Sequence, residues 1–157
     1  HSSNRRQRQM CIRDRVDIWH FAMSELMIKG EIDERLADLM MQPVDRDVDS
    51  EAFRICIEKL ALDCLNTESV DVHIFKNTMN ALGMSYQELF ELYIGKNTLN
   101  RFRQNNGYKE GLYQKTWSGK EDNEHLIEIL SGLDSEPESL AAQLYGALEA
   151  RYQSAAL

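Results

Sequence analysis

From position 16 onward, apolar residues recur at helical spacing, and the gaps between the runs carry helix-stop signals. Val16, Trp19, Met23, Leu26 and Met27 mark the inner face of a helix reaching Lys29, with Gly30 as its stop. A second helix is predicted over roughly 31–41 and ended by Pro43. Ser50 opens a third, to about Leu65, with Phe53, Cys56, Ile57, Leu60, Ala61 and Cys64 turned inward. A fourth runs from about Asp71 to Leu82, stopped by Gly83, with Val72, Phe75, Met79 and Leu82 inward and His73 on the surface. Ser85 and Glu88 form a capping box for a fifth, whose stripe is Leu89, Leu92, Leu99 and Phe102 and whose stop is Gly107. Glu121–Ser131 reads as a short helix. Ser135 with Glu138 opens a last one that buries Leu140, Ala141, Leu144, Tyr145 and Leu148. The elements add up to an all-α bundle of about six or seven helices, with no internal repeat.

Composition narrows the class. A chain of 157 residues with 43% hydrophobic content and only two prolines suits one globular helical domain, here 16–157. No window approaches the ~20 apolar residues that span a bilayer, and the start has no secretory pattern. Cys11, Cys56 and Cys64 are odd in number and lack CxxC spacing, which points to reduced thiols and a cytoplasmic protein. Residues 1–15 differ from the rest of the chain, with five arginines, one acid and no sustained apolar period. They read as a leader that is not native rather than as a basic arm for nucleic acid, and RQRQMCIRDR resembles translated adapter sequence.

Charge singles out one stretch. The chain carries −8, yet residues 95–120 hold six cations against the single anion Glu110. A cationic pocket in an acidic protein suits a compact polyanion better than long nucleic acid, which favours a broad basic face. Lys96, Asn100 and Arg103 follow the i, i+4, i+7 rule and share one face of the fifth helix, beside its apolar stripe. A basic helix end complementing the helix dipole is the plainer account of the same residues. Beyond it, Gly107, Gly111 and Gly119 punctuate a predicted loop bearing Tyr108, Lys109, Tyr113, Lys115 and Trp117, able to wrap phosphates and close on them. Near the other end, Asp14 and Asp17 are three apart and project to one side of a helix, where carboxylates can share a hard cation. His20 borders the same place, although a lone histidine is more often a hydrogen-bonded packing residue. Trp19 reads as core. The acidic run 44–50 lacks the glycine and closing glutamate of an EF-hand loop and reads as solvated.

Two segments carry a family resemblance. KNTLNRFRQNNGYKEGLYQKTWSGKEDN (96–123) resembles the C-terminal signature of the dimeric, all-helical dUTPases of the all-α nucleoside triphosphate pyrophosphatase superfamily. VDIWHFAMSELM (16–27) resembles that family's second metal-binding helix. The likeness runs from about Val16 to about Leu130. It implies Mg2+-dependent hydrolysis of dUTP, and of dUDP, to dUMP, through water attacking the β-phosphorus in line. It implies a homodimer with no nucleic-acid or membrane partner. It makes Asp17 a metal ligand, with Asp14 standing where the family has a glutamate. It gives Lys96, Arg103 and Lys109 to the phosphates, with Arg103 suited to bidentate contact, and Asn100 to the deoxyribose 3′-hydroxyl. Tyr108 and Lys115 then close the loop side. The family's upstream ExxE pair has no counterpart here, so no residue is assigned as the water-activating base and the chain alone is expected to be nearly inactive. Two alternatives stay open: a sister pyrophosphatase for another nucleotide such as dCTP, and a non-catalytic helical module whose basic loop binds an acidic partner.

Overall fold

The computed structural model describes residues 2–44, 47–133 and 136–155, with side chains from Val16 onward. Among these residues it holds α1 (Ser2–Lys29), α2 (Glu34–Met41), α3 (Ser50–Thr67), α4 (Val72–Ala81), α5 (Tyr86–Asn105), the strands β1 (Thr116–Trp117) and β2 (Lys120–Glu121), α6 (Asp122–Leu130) and α7 (Pro137–Ala155). The protein is all-α, as expected, apart from that one short hairpin. Among the described residues no helix is long and apolar enough to cross a membrane. The expected roles of the Asp14 carboxylate and of Ser135 fall outside the described residues.

The chain divides into two compact units, up to Leu89 and from Phe90 on. In the first, α4 packs against α3 and α2. Its core joins Val16, Trp19, Ala22 and Leu26 of α1, Met40 of α2, Leu60 of α3, and Phe75 and Met79 of α4. Trp19 stacks on Phe75 with centroids 5.3 Å apart and meets Tyr86 edge-on at 6.2 Å, which settles it as core. The N-caps of α2, α3 and α4 are aspartates. Asp33 accepts from the Leu36 N–H, Asp49 from Glu51 and Ala52, and Asp71 from His73 and Ile74. The third helix is therefore capped one residue before the expected Ser50, by a side chain that also brings negative charge to the helix N-terminus.

Three differences have physical causes. Continuous α1 runs back to Ser2, so the arginine-rich start shares a helix with the segment from Val16 to Lys29; arginine and glutamine are good helix formers even without an apolar period. Met27 is 69% exposed and Ala61 lies on the surface, because each buried stripe is narrower than the apolar spacing allowed. Lys76, unremarked in the sequence, is 2% exposed. Its ammonium donates to the Met40 and Gln42 carbonyls at 3.1 and 2.9 Å, satisfying acceptors left open at the end of α2. Burial pushes this lysine below its ordinary value.

A surface tie holds the α3–α4 connection to α1. Glu25 accepts from the Lys29 ammonium, the Ser69 hydroxyl and the Val70 N–H. The Lys29 and Ser69 bonds hold its carboxyl below the usual glutamate range.

In the second unit α7 lies against α6, and the hairpin adjoins α6. Phe102 sits at the middle of the core, stacked on Trp117 at 6.0 Å and edge-on to Tyr113, Tyr145 and Tyr152. Leu99, Leu126, Ile129, Leu144 and Leu148 complete it. Gly95 lets α5 close on α6, since a Cβ there would stand 2.9 Å from Leu130 Cδ1. The expected glycine loop contains the hairpin instead. Thr116 pairs with Glu121 and Trp117 with Lys120, around a turn in which Ser118 and Gly119 both have positive φ (48° and 75°). Such a turn matches the twist of the two strands.

Phe102→Ala should destabilise the second unit by about 3–5 kcal/mol in urea unfolding followed by circular dichroism, the range for emptying a fully buried aromatic site. Because folding lowers the Glu25 pKa, its stabilisation is present above the ordinary value of 4.5 and is lost as pH falls through the folded value. Glu25→Gln should therefore flatten the fall in melting temperature below about pH 5; an unchanged acid profile would remove Glu25 from this role.

Candidate functional site

The cationic face is assembled from α5 outward. The Ser85–Glu88 capping box forms as the sequence indicates: the Ser85 N–H donates to the Glu88 carboxylate at 2.8 Å and the Glu88 N–H to Ser85 Oγ at 3.2 Å. At the far end Gly107 (φ +81°) closes the helix. Its N–H bonds the Gln104 carbonyl at 3.3 Å, and the Tyr108 N–H reaches back to the Arg103 carbonyl at 3.0 Å. This is a Schellman stop, in which a left-handed glycine frees the next N–H to reach back five residues. It ties Tyr108 by its backbone to the residue carrying the guanidinium.

Arg103 is the most constrained cation of the group. Its Nε and Nη2 donate to Asp122 Oδ2 and Oδ1, both at 2.8 Å, and its Nη1 donates to Asn100 Oδ1 at 3.2 Å. The bond to Asn100 brings two of the i, i+4, i+7 residues into contact, as their spacing implies. Three of the guanidinium's five donors are thereby committed. The side-on fork expected for phosphate lies against a protein carboxylate instead. The Asp122 bonds hold Arg103 still further above its already high ordinary value, with burial opposing, so it is permanently charged.

Asp122 opens α6 and is 1% exposed. Tyr113 Oη donates to its Oδ2 at 3.0 Å, and Asn123 Nδ2 to its Oδ1 at 3.1 Å. Its own N–H donates to the Lys115 carbonyl at 2.8 Å. Burial first, then the Asp122 charge and hydrogen bond, push the Tyr113 hydroxyl well above the ordinary tyrosine value, so it stays a donor. The sequence placed Tyr113 and Trp117 on a phosphate-wrapping loop; both are buried in the aromatic core. Nothing in the local pattern marks Asp122, which lies 19 positions from the arginine it binds.

The remaining cations sort by what they touch. Lys115 places its ammonium 5.4 Å from the Tyr108 ring centroid, a cation–π contact on the surface, where Tyr108 is 44% exposed. Lys109 is exposed and Lys96 half-buried. Lys120 pairs with Glu128 of α6, and Arg101 lies over the Tyr145 ring at 5.2 Å, so both serve the packing of this unit.

Asp17 and His20 belong to the first unit. Both lie on the exposed side of α1, away from Val16 and Trp19 on its buried side, and the His20 ring meets Phe21 edge-on at 6.1 Å. His20 is thus not a packed core histidine. Among the described residues no group of three or more His, Cys, Asp or Glu side chains is arranged to hold a metal ion. Helical backbone continues through positions 14 and 17, which puts their Cα atoms on one side of α1 a turn apart. The Asp17 carboxylate, on the exposed side of α1, is an oxygen donor of the kind that suits Mg2+, which keeps several waters and takes its other oxygens from substrate phosphates.

A sequence model for the family described as dUTPase matches residues 1–108. The matched span takes in Asp17, His20, Lys96, Asn100, Arg103 and Tyr108; Lys109, Lys115 and Asp122 lie beyond it. No curated protein matches the chain.

Proposed function

The chain belongs to the dUTPase family, whose members are nucleotide pyrophosphohydrolases, and from that premise we propose a residue-level reading of how it takes its substrate. The observation that carries it is the contact between Arg103 and Asn100 on one face of α5, beside Lys96 and next to the Schellman stop that brings in Tyr108. Lys96, Arg103 and Lys109 neutralise oxygens of the phosphate chain. With Oδ1 occupied by Arg103, Asn100 offers its Nδ2 as a donor, which suits the oxygen of a deoxyribose 3′-hydroxyl. Tyr108 and Lys115, already paired through ring and ammonium, cover the loop side.

Asp17, together with Asp14, is the place for Mg2+, and His20 borders it. Bound there, Mg2+ would draw charge from the phosphate chain and favour attack by water. The chain's own residues hold the nucleotide and keep its charge compensated; none of them is assigned as the base. The substrate is dUTP, with dUDP accepted, and the working form is a homodimer in the cytoplasm.

Calorimetric titration with a non-hydrolysable dUTP analogue tests this directly. Affinity should rise at least about tenfold when Mg2+ is added, and Arg103→Gln should cost about tenfold or more. The corresponding dCTP analogue should bind more weakly than the dUTP analogue. Binding that ignores both Mg2+ and Arg103→Gln would favour an interaction module over an enzyme.

A further inference from the structure

We infer that Asp122, steadied by Tyr113, is a positioning residue: it presents Arg103 to the phosphate chain in one fixed orientation. This inference rests on the nucleotide-binding reading of Arg103.

The geometry is unusually complete around one carboxylate. Oδ2 accepts from Arg103 Nε and Tyr113 Oη, and Oδ1 from Arg103 Nη2 and Asn123 Nδ2. A carboxylate offers about four lone-pair sites, so all are engaged and neither oxygen can turn away. The two parallel N–H···O bonds then fix the plane of the guanidinium as well as its place. The carboxylate is 1% exposed and the Arg103 side chain 18%, so the anion is sunk in the protein while part of the cation reaches solvent. The inner edge of Arg103 is spent on Asp122, and Nη1, on the other edge, touches the Asn100 amide. Through its N–H, Asp122 also fixes the Lys115 carbonyl, so one residue anchors two of the cations assigned to the substrate.

A buried ion pair is a poor way to add stability, since desolvating both charges offsets most of their attraction. It is a good way to immobilise an arginine. A free arginine loses rotamer freedom on binding worth roughly tenfold to thirtyfold in affinity, and one already locked does not. There is an electrostatic cost: beside Asp122, Arg103 adds little net positive charge, and attraction at a distance falls to Lys96, Lys109 and Lys115. The two effects oppose each other, so the sign of one substitution decides between them. Asp122→Asn keeps the shape and removes a negative charge next to an anion site. Acting through charge alone, it would tighten triphosphate binding; acting through position, it loosens the guanidinium and weakens binding.

The test titrates the same dUTP analogue, with Mg2+ and well below each variant's melting temperature, into the wild-type chain, Asp122→Asn, Arg103→Gln and the double variant. Asp122→Asn should weaken binding by about tenfold, against its electrostatic sign, and by less than about twofold once Arg103 is already glutamine. Tyr113→Phe keeps the ring packing and the ion pair while removing one bond to the carboxylate, and should weaken binding by about threefold. If Asp122→Asn does not fold, Tyr113→Phe crossed with Arg103→Gln takes its place in the cycle. Unchanged or tighter binding with Asp122→Asn, or losses that simply add to those of Arg103→Gln, overturns the positioning role and leaves the nucleotide reading standing. No analogue binding by the wild-type chain, or none lost with Arg103→Gln, brings down both.

Discussion

A carboxylate at 1% exposure is tolerable only when every oxygen lone pair has a donor, and meeting that condition at Asp122 governs the second unit. Arg103 must come from the last turn of α5, Tyr113 from the segment between α5 and β1, and Asn123 from the start of α6. The aromatic cluster is what holds those elements at the required distances. Phe102, one residue before the arginine, faces inward and contacts Trp117, Tyr113, Tyr145 and Tyr152. Tyr113 belongs to both layers, with its ring in the core and its hydroxyl on the carboxylate. Burial that would be costly for the charge alone becomes sustainable because the apolar layer keeps the donors in place.

The first unit solves a related problem with an amine. Lys76 fills the end of α2, where helix carbonyls lack partners, and its charge is offset by two carbonyl dipoles rather than by an acid. Trp19 and Phe75 stack in the core of the same unit. The exposed side of α1 is left for Asp17 and His20, so the face that carries candidate chemistry contributes little to packing.

Legibility in the sequence tracked locality. The capping box of α5, its Schellman stop at Gly107 and the shared face of Asn100 and Arg103 all lie within a few residues, and each formed as its spacing indicated. The family signature in the same stretch was readable for the same reason, and the family match bears it out. The hairpin was not readable: its strands are two residues long, and Ser118 is a weak marker for a position with positive φ. Asp122 was hidden differently. Nothing near it in sequence distinguishes a helix-opening aspartate from a salt-bridge partner 19 residues away. The over-wide stripes that took in Met27 and Ala61 arose because periodicity marks a face but not where that face ends.

Each compact unit contains a single indole, and their settings differ. Trp19 lies flat against Phe75, whereas Trp117 is boxed among rings with the His125 imidazole 4.4 Å away and its own Nε1 buried without an acceptor. An indole in so dry a place emits to the blue. The protein thus carries one intrinsic optical label per unit, and replacing either tryptophan by phenylalanine isolates the signal of the other.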